Sequence, residues 1–409
     1  MNKKLLSLLL AGAMTLSLAA CGNGGDTTET PAAGESNPAQ TETGAPETEG
    51  TTVKVGLICN GDENDQGYTY NFIRSTELAS EKLAEQGINV DWVIKYNITE
   101  DSNCEDANIE LADAGCQLII NNSYGFEDFM LKVAPDYPEV QFVSCTNQKS
   151  AVDDLDNTHN AFAKLHQGSY VDGVVAGMKL NQLIEEGTIT EDNAFIGYVG
   201  SFPYPEPLSM LTSLYLGAKS VCPSVQVKTK FINSWGNLTE EANAAQALCD
   251  EGCMVITNYT DGSAAATTAQ SNGAYYVGYT ADVTSVAPEA ALISTRVDWS
   301  IYMEYAIAAI ANGEEIAQDW SGDIGSGAAT MTTLNETIAA PGTQEAIDKA
   351  VADLAGGMPV FAGPLSGKNT FDGSEWSLAE GESYLESDVA SGGLSAPQFC
   401  WIIDEITVE

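Results

Sequence analysis

The feature that most constrains the fold is a βα pattern that runs twice along the chain. Four short apolar runs begin at residues 53, 88, 117 and 141, and four more begin at 194, 226, 254 and 275. Helical stretches separate them, and successive runs start 35, 29 and 24 residues apart in the first series and 32, 28 and 21 in the second. Strands that alternate with helices at this spacing form parallel sheets covered by helices. The sequence therefore predicts an α/β fold of two similar doubly wound parallel-sheet lobes joined by a hinge.

The two lobes are expected to be discontinuous in sequence. A helical pattern at 302–312 and a last apolar run at 399–408 follow the second series and must return to the sheets. Glycine- and acid-rich segments at 322–327 and 363–393 indicate only loops or a weak hairpin. The expected N-terminal lobe is residues 53–160 plus about 293–328, and the expected C-terminal lobe is residues 161–292 plus about 329–409.

The loops that follow the predicted strands carry mostly aromatic and carboxylate side chains. In open parallel sheets, ligands bind outside the carboxyl ends of the strands, so these loops are where a ligand site is expected. Lys149 is the only cation in them. Their aromatic, carboxylate and amide residues are Asp65, Tyr68, Tyr70, Asn122, Tyr124, Phe126, Phe202, Tyr204, Trp235, Tyr259, Asp261 and Asp282.

This composition predicts a flat, uncharged ligand. Facing aromatic rings suit a planar ring, with stacking worth about 1–3 kcal/mol per base in nucleic-acid systems. Carboxylates and amides supply partners for ring N–H, amine or hydroxyl groups. A phosphorylated ligand needs Arg, Lys or a glycine-rich phosphate loop, so a base or nucleoside fits better than a nucleotide. The expected ligand-binding residues are Asp65, Tyr68, Tyr70, Tyr124, Phe126, Phe202, Trp235, Asp261 and Asp282.

The charge balance excludes several classes of partner. The chain has 58 Asp and Glu against 16 Lys and Arg, a formal net charge of -42. This acidity argues against nucleic acid, which is bound through Lys and Arg, and against an anionic lipid surface. The two histidines, His159 and His166, give little basis for a His-rich metal site or a Ser-His-Asp triad. We therefore expect no metal, no cofactor and no catalysis.

The N-terminal sequence predicts export and lipid anchoring. Lys3 and Lys4 precede an apolar stretch at 5–18, which is too short for a membrane span of about 20 residues and suits a signal peptide over residues 1–20. Small residues before Cys21 resemble the lipobox of bacterial lipoproteins, in which the cysteine carries the lipid. Residues 21–52 are acidic and poor in large apolar side chains, so they are expected to form a disordered tether. The protein is then lipid-anchored on the outer face of the cell membrane.

Eight cysteines follow Cys21, and an even number in an exported protein permits disulfides. Most lie in apolar strand-like runs or on helical patterns, which favours buried thiols that act as small hydrophobic residues. Cys249 and Cys253 are four residues apart, not separated by the two-residue gap that zinc knuckles prefer.

Several loop segments resemble the basic membrane protein family, the purine- and nucleoside-binding lipoproteins of ABC importers. The resemblance covers roughly residues 53–367, and the lipobox agrees with it. It implies a type I periplasmic-binding fold, a small-molecule ligand, and ABC permease and ATPase partners; a monomer is expected. The matching segments are Asp65-Gln-Gly-Tyr68-Thr-Tyr70, Asn122-Ser-Tyr124-Gly-Phe126, Gly197-Tyr-Val-Gly-Ser-Phe202-Pro-Tyr-Pro-Glu206, Asn233-Ser-Trp235, Thr260-Asp261 and Gly278-Tyr-Thr280-Ala-Asp282.

The resemblance also implies roles for individual residues. Tyr68 takes the place of the aromatic that stacks on the base, and Asp65 that of the polar partner of the base edge. Phe202 and Trp235 close the pocket from the other lobe, and Asp261 accepts a hydrogen bond. Two positions depart from the family. Relatives usually have Asp in place of Thr280, and that carboxylate is associated with ribose hydroxyls. They often have His in place of Tyr259. Because the carboxylate is missing here, a free purine base or another flat polar ring fits better than a nucleoside.

Three alternatives stay open at this point, one of which is a surface receptor that senses its ligand without transport. The same fold could hold a sugar, because aromatic rings also cover pyranose faces. A nucleoside-cleaving hydrolase could use paired carboxylates such as Asp261 and Asp282 on a glycosidic bond. These alternatives compete with the main prediction, which is an extracytoplasmic binding protein whose lobes close on a purine base or nucleoside.

Overall fold

A computed structural model describes residues 50–64 and 67–408 of the 409-residue chain. The predicted signal peptide, Cys21 and most of the predicted tether lie outside the described residues, and so does Asp65. The strands are β1 (Thr51–Ile58), β2 (Ile88–Lys95), β3 (Leu118–Asn121), β4 (Gln141–Ser144), β5 (Thr158–Ala163), β6 (Phe195–Gly200), β7 (Gln226–Phe231), β8 (Val255–Tyr259), β9 (Tyr275–Tyr279), β10 (Ala291–Val297), β11 (Asp319–Gly322), β12 (Ala329–Met331), β13 (Phe361–Ala362), β14 (Leu365–Asn369), β15 (Glu375–Leu378), β16 (Ser383–Tyr384), β17 (Trp401–Ile403) and β18 (Ile406–Val408). The helices are α1 (Tyr68–Glu85), α2 (Ser102–Asp113), α3 (Glu127–Val133), α4 (Leu165–Glu185), α5 (Pro205–Val221), α6 (Leu238–Asp250), α7 (Ala264–Ser271), α8 (Ser300–Asn312) and α9 (Thr343–Ala355).

The strands of the doubled pattern form two parallel sheets, one in each lobe. The first sheet has the order β11-β5-β4-β3-β1-β2, and the second has the order β12-β10-β9-β8-β6-β7-β18. Every pairing in them is parallel except that of β10 with β12. Buried strands such as β3 and β8 expose no residue on either face, as expected of sheets covered on both sides. The predicted fold class is confirmed.

The chain passes between the two sheets three times. It leaves the first sheet after β5, returns from the second after β10, and leaves again between β11 and β12. The second crossing follows the end of β10 at Val297. Three neighbouring segments of the chain therefore join the two lobes, and they can act as a hinge between them.

Helices α4 and α5 pack on each other through glycines. A Cβ atom on Gly173 would lie 2.0 Å from the Leu214 carbonyl oxygen, and one on Gly217 would lie 2.0 Å from the Tyr170 carbonyl oxygen. Glycine inside a helix costs about 0.5–1 kcal/mol relative to alanine. Here it permits a close backbone approach, and most residues of α4 are buried against α5 and the second sheet.

Residues 359–408, the last fifty that the structure describes, form what we name the C-terminal segment. It contains two small sheets, β13 with β16 and β14 with β15 and β17, around stacked rings: Phe361 on Phe399 at 4.4 Å and Trp376 on Trp401 at 4.6 Å between centroids. The predicted last strand is two strands, because a turn at 404–405 separates β17 from β18. β18 then pairs with β7 at the edge of the second sheet.

Six of the eight cysteines in the described part of the chain are buried. Within the same residues, no helix is both long and apolar enough to span a membrane.

Candidate functional site

A cavity lies between the two lobes at the carboxyl ends of their strands. We name it the inner cavity; its volume is about 50 Å³. The first lobe and the second lobe both contribute side chains to its wall. The residues that line it are Asn60, Tyr68, Asn122, Ser123, Tyr124, Cys145, Thr146, Glu206, Trp235, Tyr259, Thr260, Asp261 and Tyr279.

The lobes touch each other at one edge of this cavity. The backbone amide of Tyr68, at the start of α1, donates to Oδ1 of Asp261 at 3.4 Å. One turn further along α1, Nδ2 of Asn71 donates to the carbonyl oxygen of Thr280 at 2.7 Å. Thr280 has a left-handed backbone with φ of 68°, a conformation that costs of order 1–3 kcal/mol outside glycine. These bonds join the two lobes, so the structure shows a closed arrangement.

Tyr68 is held in a fixed orientation from the first lobe. Its hydroxyl donates to the Cys145 carbonyl oxygen at 3.2 Å, and its ring packs edge-on against Phe72 and Trp299 at 5.2 and 6.1 Å between centroids. Burial, followed by the negative charge of Glu206, holds the pKa of Tyr68 well above its ordinary value. The ring is therefore a neutral, rigid wall of the inner cavity.

Trp235 lines the cavity from the second lobe and is supported by two other rings. Phe202 stacks on Tyr204 at 5.0 Å and meets Trp235 edge-on at 5.1 Å. Phe202 does not line the inner cavity, although the family resemblance implies that it closes the pocket. Its position instead braces Trp235. The Trp235 carbonyl oxygen also accepts from the Asp261 amide at 2.7 Å, which ties the two loops together.

The loop that carries Asp261 is fixed from behind by buried polar groups. Oε2 of Glu241 accepts from the Thr260 hydroxyl at 2.9 Å, and Oε1 accepts from the Ala265 amide at 2.8 Å. Nδ2 of Asn258 donates to the carbonyl oxygens of Thr260 and Gly262 at 3.1 and 3.2 Å. This network positions the Asp261 side chain at the lobe interface.

Glu206 is a lining residue that the sequence reasoning did not select. It lies in the first turn of α5, directly after Pro205. An acidic residue at this position usually faces solvent, and the helix dipole stabilises its negative charge. Its Oε1 is shielded from solvent and makes no hydrogen bond of regular geometry with the described residues. Glu206 is the last residue of the segment at 197–206 that resembles the family. That position is the sequence signal by which it could have been selected.

The environment of Glu206 changes its protonation. Burial raises the pKa of the Glu206 carboxyl to about 8; the Tyr259 hydroxyl opposes this in part, and the charges of Asp261 and Glu386 add to it. At neutral pH the group is therefore protonated and can both donate and accept a hydrogen bond. Tyr259 and Tyr279 stack beside it at 4.0 Å between centroids, and burial raises the pKa of both hydroxyls.

Of the nine residues expected to bind ligand, the inner cavity brings together Tyr68, Tyr124, Trp235 and Asp261. Tyr70 lies two residues past Tyr68, about 200° around α1, and is 38% exposed on another face. Phe126 is fully buried in the core beside Met130, since its short helical turn points it inward. Asp282 is exposed and accepts from the Thr284 amide at 2.9 Å, which caps its own loop. Asp65 lies outside the described residues.

The described residues that line the inner cavity include no Lys, Arg or His. No group of three or more His, Cys, Asp or Glu in the described ranges could hold a metal ion. Phosphate ligands are recognised by cationic side chains or phosphate loops, so the cavity suits an uncharged ring with hydrogen-bonding edges.

Comparisons with known proteins agree with this geometry. Residues 52–358 match the model of the Bmp family, described as ABC transporter substrate-binding protein PnrA-like. A purine-binding protein of Brucella abortus is 31% identical over 331 residues, covering 81% of this chain and 88% of that protein. A Haloferax volcanii protein, named as a candidate ABC transporter glucose-binding protein, is 28% identical over 287 residues, covering 69% and 68%. An ABC transporter solute-binding protein of Aeropyrum pernix superposes with a TM-score of 0.63 over 75% of this chain and 92% of that one, at 13% identity.

Proposed function

The chain belongs to the Bmp family of ABC transporter substrate-binding proteins, and we propose that it captures a purine base, free or as a nucleoside, between its two lobes. The family confirms the resemblance seen in the sequence. Proteins of this kind work outside the cytoplasm and deliver a small molecule to a membrane permease.

One observation carries the proposal: Tyr68 and Trp235 line the same cavity from opposite lobes. A planar ring between them would be covered on both faces once the lobes close, which excludes water and strengthens polar contacts at its edge. The relative named as purine-binding, at 31% identity, supports a purine as that ring.

Glu206 supports a purine in particular. Amide side chains recognise the N6 and N7 atoms of adenine because they offer one donor and one acceptor side by side. A protonated carboxyl offers the same pair, and burial holds Glu206 in that form at neutral pH. Asp261 adds an acceptor at the lobe interface. We propose that these two groups read the edge of the base.

Closure of the lobes couples binding to recognition by the permease. The contacts of Tyr68 with Asp261 and of Asn71 with Thr280 form only when the lobes meet. A ligand held by both lobes favours that state over the open one, because only the closed state makes both sets of contacts. The permease would then recognise the closed form.

Calorimetry tests the proposed ligand. The purified protein is titrated with adenine, guanine, hypoxanthine, adenosine and glucose. The proposal expects heat from at least one purine and adenosine recovered unchanged after incubation. No heat from any purine would remove this function.

Glucose is the second candidate ligand, and the Haloferax volcanii relative is the observation that favours it. Tyr68 and Trp235 could also cover a pyranose face. Competition separates the two: a purine-binding protein releases adenine only to other purines, and a sugar-binding protein releases glucose only to sugars.

We further propose that a lipid on Cys21 anchors the protein to the outer face of the membrane as a monomer. The support is the apolar stretch followed by Leu18-Ala19-Ala20-Cys21. Cys21→Ser should release the protein from the membrane fraction, and mass spectrometry of the parent protein should show acyl chains on its N-terminal peptide.

A further inference from the structure

A second chamber opens from the inner cavity toward solvent. We name it the outer chamber; its volume is about 430 Å³. Tyr124, Thr146, Glu206 and Trp235 line both spaces, so the two are continuous. Part of the outer chamber's wall does not line the inner cavity, and this part includes Phe371, Ala396 and Pro397 of the C-terminal segment. The match to the family model ends at residue 358, so this wall lies beyond the part of the chain that the family defines.

The C-terminal segment is fixed to both lobes where it forms this wall. Next to Phe371, the Thr370 hydroxyl donates to the Pro203 carbonyl oxygen of the second lobe at 3.3 Å. Next to Ala396, the Ser395 hydroxyl accepts from Asn160 of β5 at 2.6 Å, and the Ser395 amide donates to Asp319 of β11 at 3.0 Å. The wall is therefore a built part of the closed protein rather than a free loop.

The outer chamber concentrates exposed aromatic surface. Five aromatic side chains in the described part of the chain are more than a third exposed, and three of them line this one space: Tyr124 at 61%, Tyr204 at 40% and Phe371 at 66%. Each comes from a different part of the molecule: the first lobe, the second lobe and the C-terminal segment. Exposed apolar surface collected in one place, rather than scattered, marks a binding surface.

The polar groups of the outer chamber limit what it can take. The Thr146 hydroxyl is already bonded to Asn160 at 3.0 Å, and Glu206 faces the inner cavity as well. Beyond these, the wall offers the Gln148 amide and the tyrosine hydroxyls, too few partners for the hydroxyls of a sugar ring. The described lining residues include no Lys or Arg, which disfavours a phosphate. Pro205, Pro207 and Pro397 complete an apolar surface.

We propose that the outer chamber is a second subsite of the ligand site and takes a neutral, apolar ring carried by the purine as a substituent. This inference rests on the proposed function, since the inner cavity must hold the base. The substituent ring lies among Tyr204, Trp235 and Phe371, and the C-terminal segment sets how large a ligand this chain accepts.

Calorimetry with matched ligands tests the subsite. Adenine, N6-benzyladenine, 9-benzyladenine and adenosine are titrated into the full protein, so that the ring is presented from two positions of the base. At least one benzyl derivative should bind tenfold or more tightly than adenine, and more tightly than adenosine. Phe371→Ala should reduce that ratio at least threefold, whereas Leu385→Ala, an exposed apolar residue of the same segment outside the chamber, should keep the parent ratio.

The outcomes distinguish failure of the subsite from failure of the proposed function. Adenine binding with neither benzyl derivative tighter overturns the subsite and leaves the proposed function standing. Adenosine binding more tightly than both benzyl derivatives overturns the apolar assignment. A ratio that falls equally in both variants also contradicts it, because Leu385 does not touch the chamber. Failure of every purine to bind removes the proposed function itself.

Discussion

Nδ2 of Asn71 in the first lobe donates to the carbonyl oxygen of Thr280 in the second, 2.7 Å away. The acceptor belongs to a residue with a left-handed backbone, so the second lobe holds an unfavourable conformation where it meets the first. This bond and that of Tyr68 with Asp261 fix how the lobes meet beside the inner cavity.

Removing the Asn71 amide should weaken ligand binding by favouring the open form. A net hydrogen bond contributes about 0.5–1.5 kcal/mol, so Asn71→Ala should raise the Kd of the bound purine roughly tenfold or less. Small-angle scattering with saturating ligand should show a larger radius of gyration than for the parent protein. Gln344→Ala, an exposed change on α9, should alter neither quantity.

Removing either aromatic wall should weaken binding more strongly. Loss of one stacked ring costs about 1–3 kcal/mol, so Tyr68→Ala and Trp235→Ala should each raise the Kd about 5- to 150-fold in calorimetry. Tyr68→Phe keeps the ring and loses only the bond to Cys145, so its effect should be smaller. Equal losses for the alanine and phenylalanine variants of Tyr68 would show that stacking is not what Tyr68 supplies.

Binding should depend on pH through Glu206. Burial raises its pKa from the ordinary 4.5 to about 8, so the proton that donates to the base is present at pH 7 and lost as the pH rises through 8. Affinity should be flat below pH 7 and fall by up to tenfold per pH unit above 8. Glu206→Gln keeps a donor and an acceptor, so it should bind at pH 7 and show no such fall.

Adenine ionises identically in experiments with the parent protein and with Glu206→Gln. The difference between their two profiles of affinity against pH therefore reports the ionisation of the Glu206 carboxyl alone. Glu206→Ala should bind weakly at every pH. A parent profile that matches the Gln profile would mean that Glu206 does not hold a proton for the ligand.

The glycine contact between α4 and α5 should be essential for stability. Gly173→Ala places a Cβ 2.0 Å from a backbone oxygen that cannot rotate away, so the helices must separate. Overpacking of this kind costs typically about 1–3 kcal/mol, and chemical denaturation should show a fall of that size or larger in the free energy of unfolding. Glu185→Ala, at the exposed end of α4, should stay within about 0.5 kcal/mol of the parent.

The sequence predicts the two sheets well because buried parallel strands are short apolar runs that stand out between polar helices. It predicts the cavity in part, since the carboxyl ends of those strands carry Tyr68, Tyr124, Trp235 and Asp261. It cannot decide which of two nearby aromatics faces a cavity: Tyr124 lines it, and Phe126, two residues on, fills the core.

Other features depend on contacts that no local pattern records. Glu206 looks like an ordinary acidic residue in the first turn of a helix, and only its burial at the inner cavity raises its pKa and makes it a protonated group. The C-terminal segment gives weak local signals because its strands are two to five residues long and are held by an aromatic cluster. Its contribution to the outer chamber follows from the fold alone.

A crystal structure of the protein with adenine shows where the base binds. We expect the purine ring between Tyr68 and Trp235, with the Glu206 carboxyl within hydrogen-bond distance of its edge. Adenine bound outside the inner cavity, or in it with neither Tyr68 nor Trp235 against a ring face, would contradict the account.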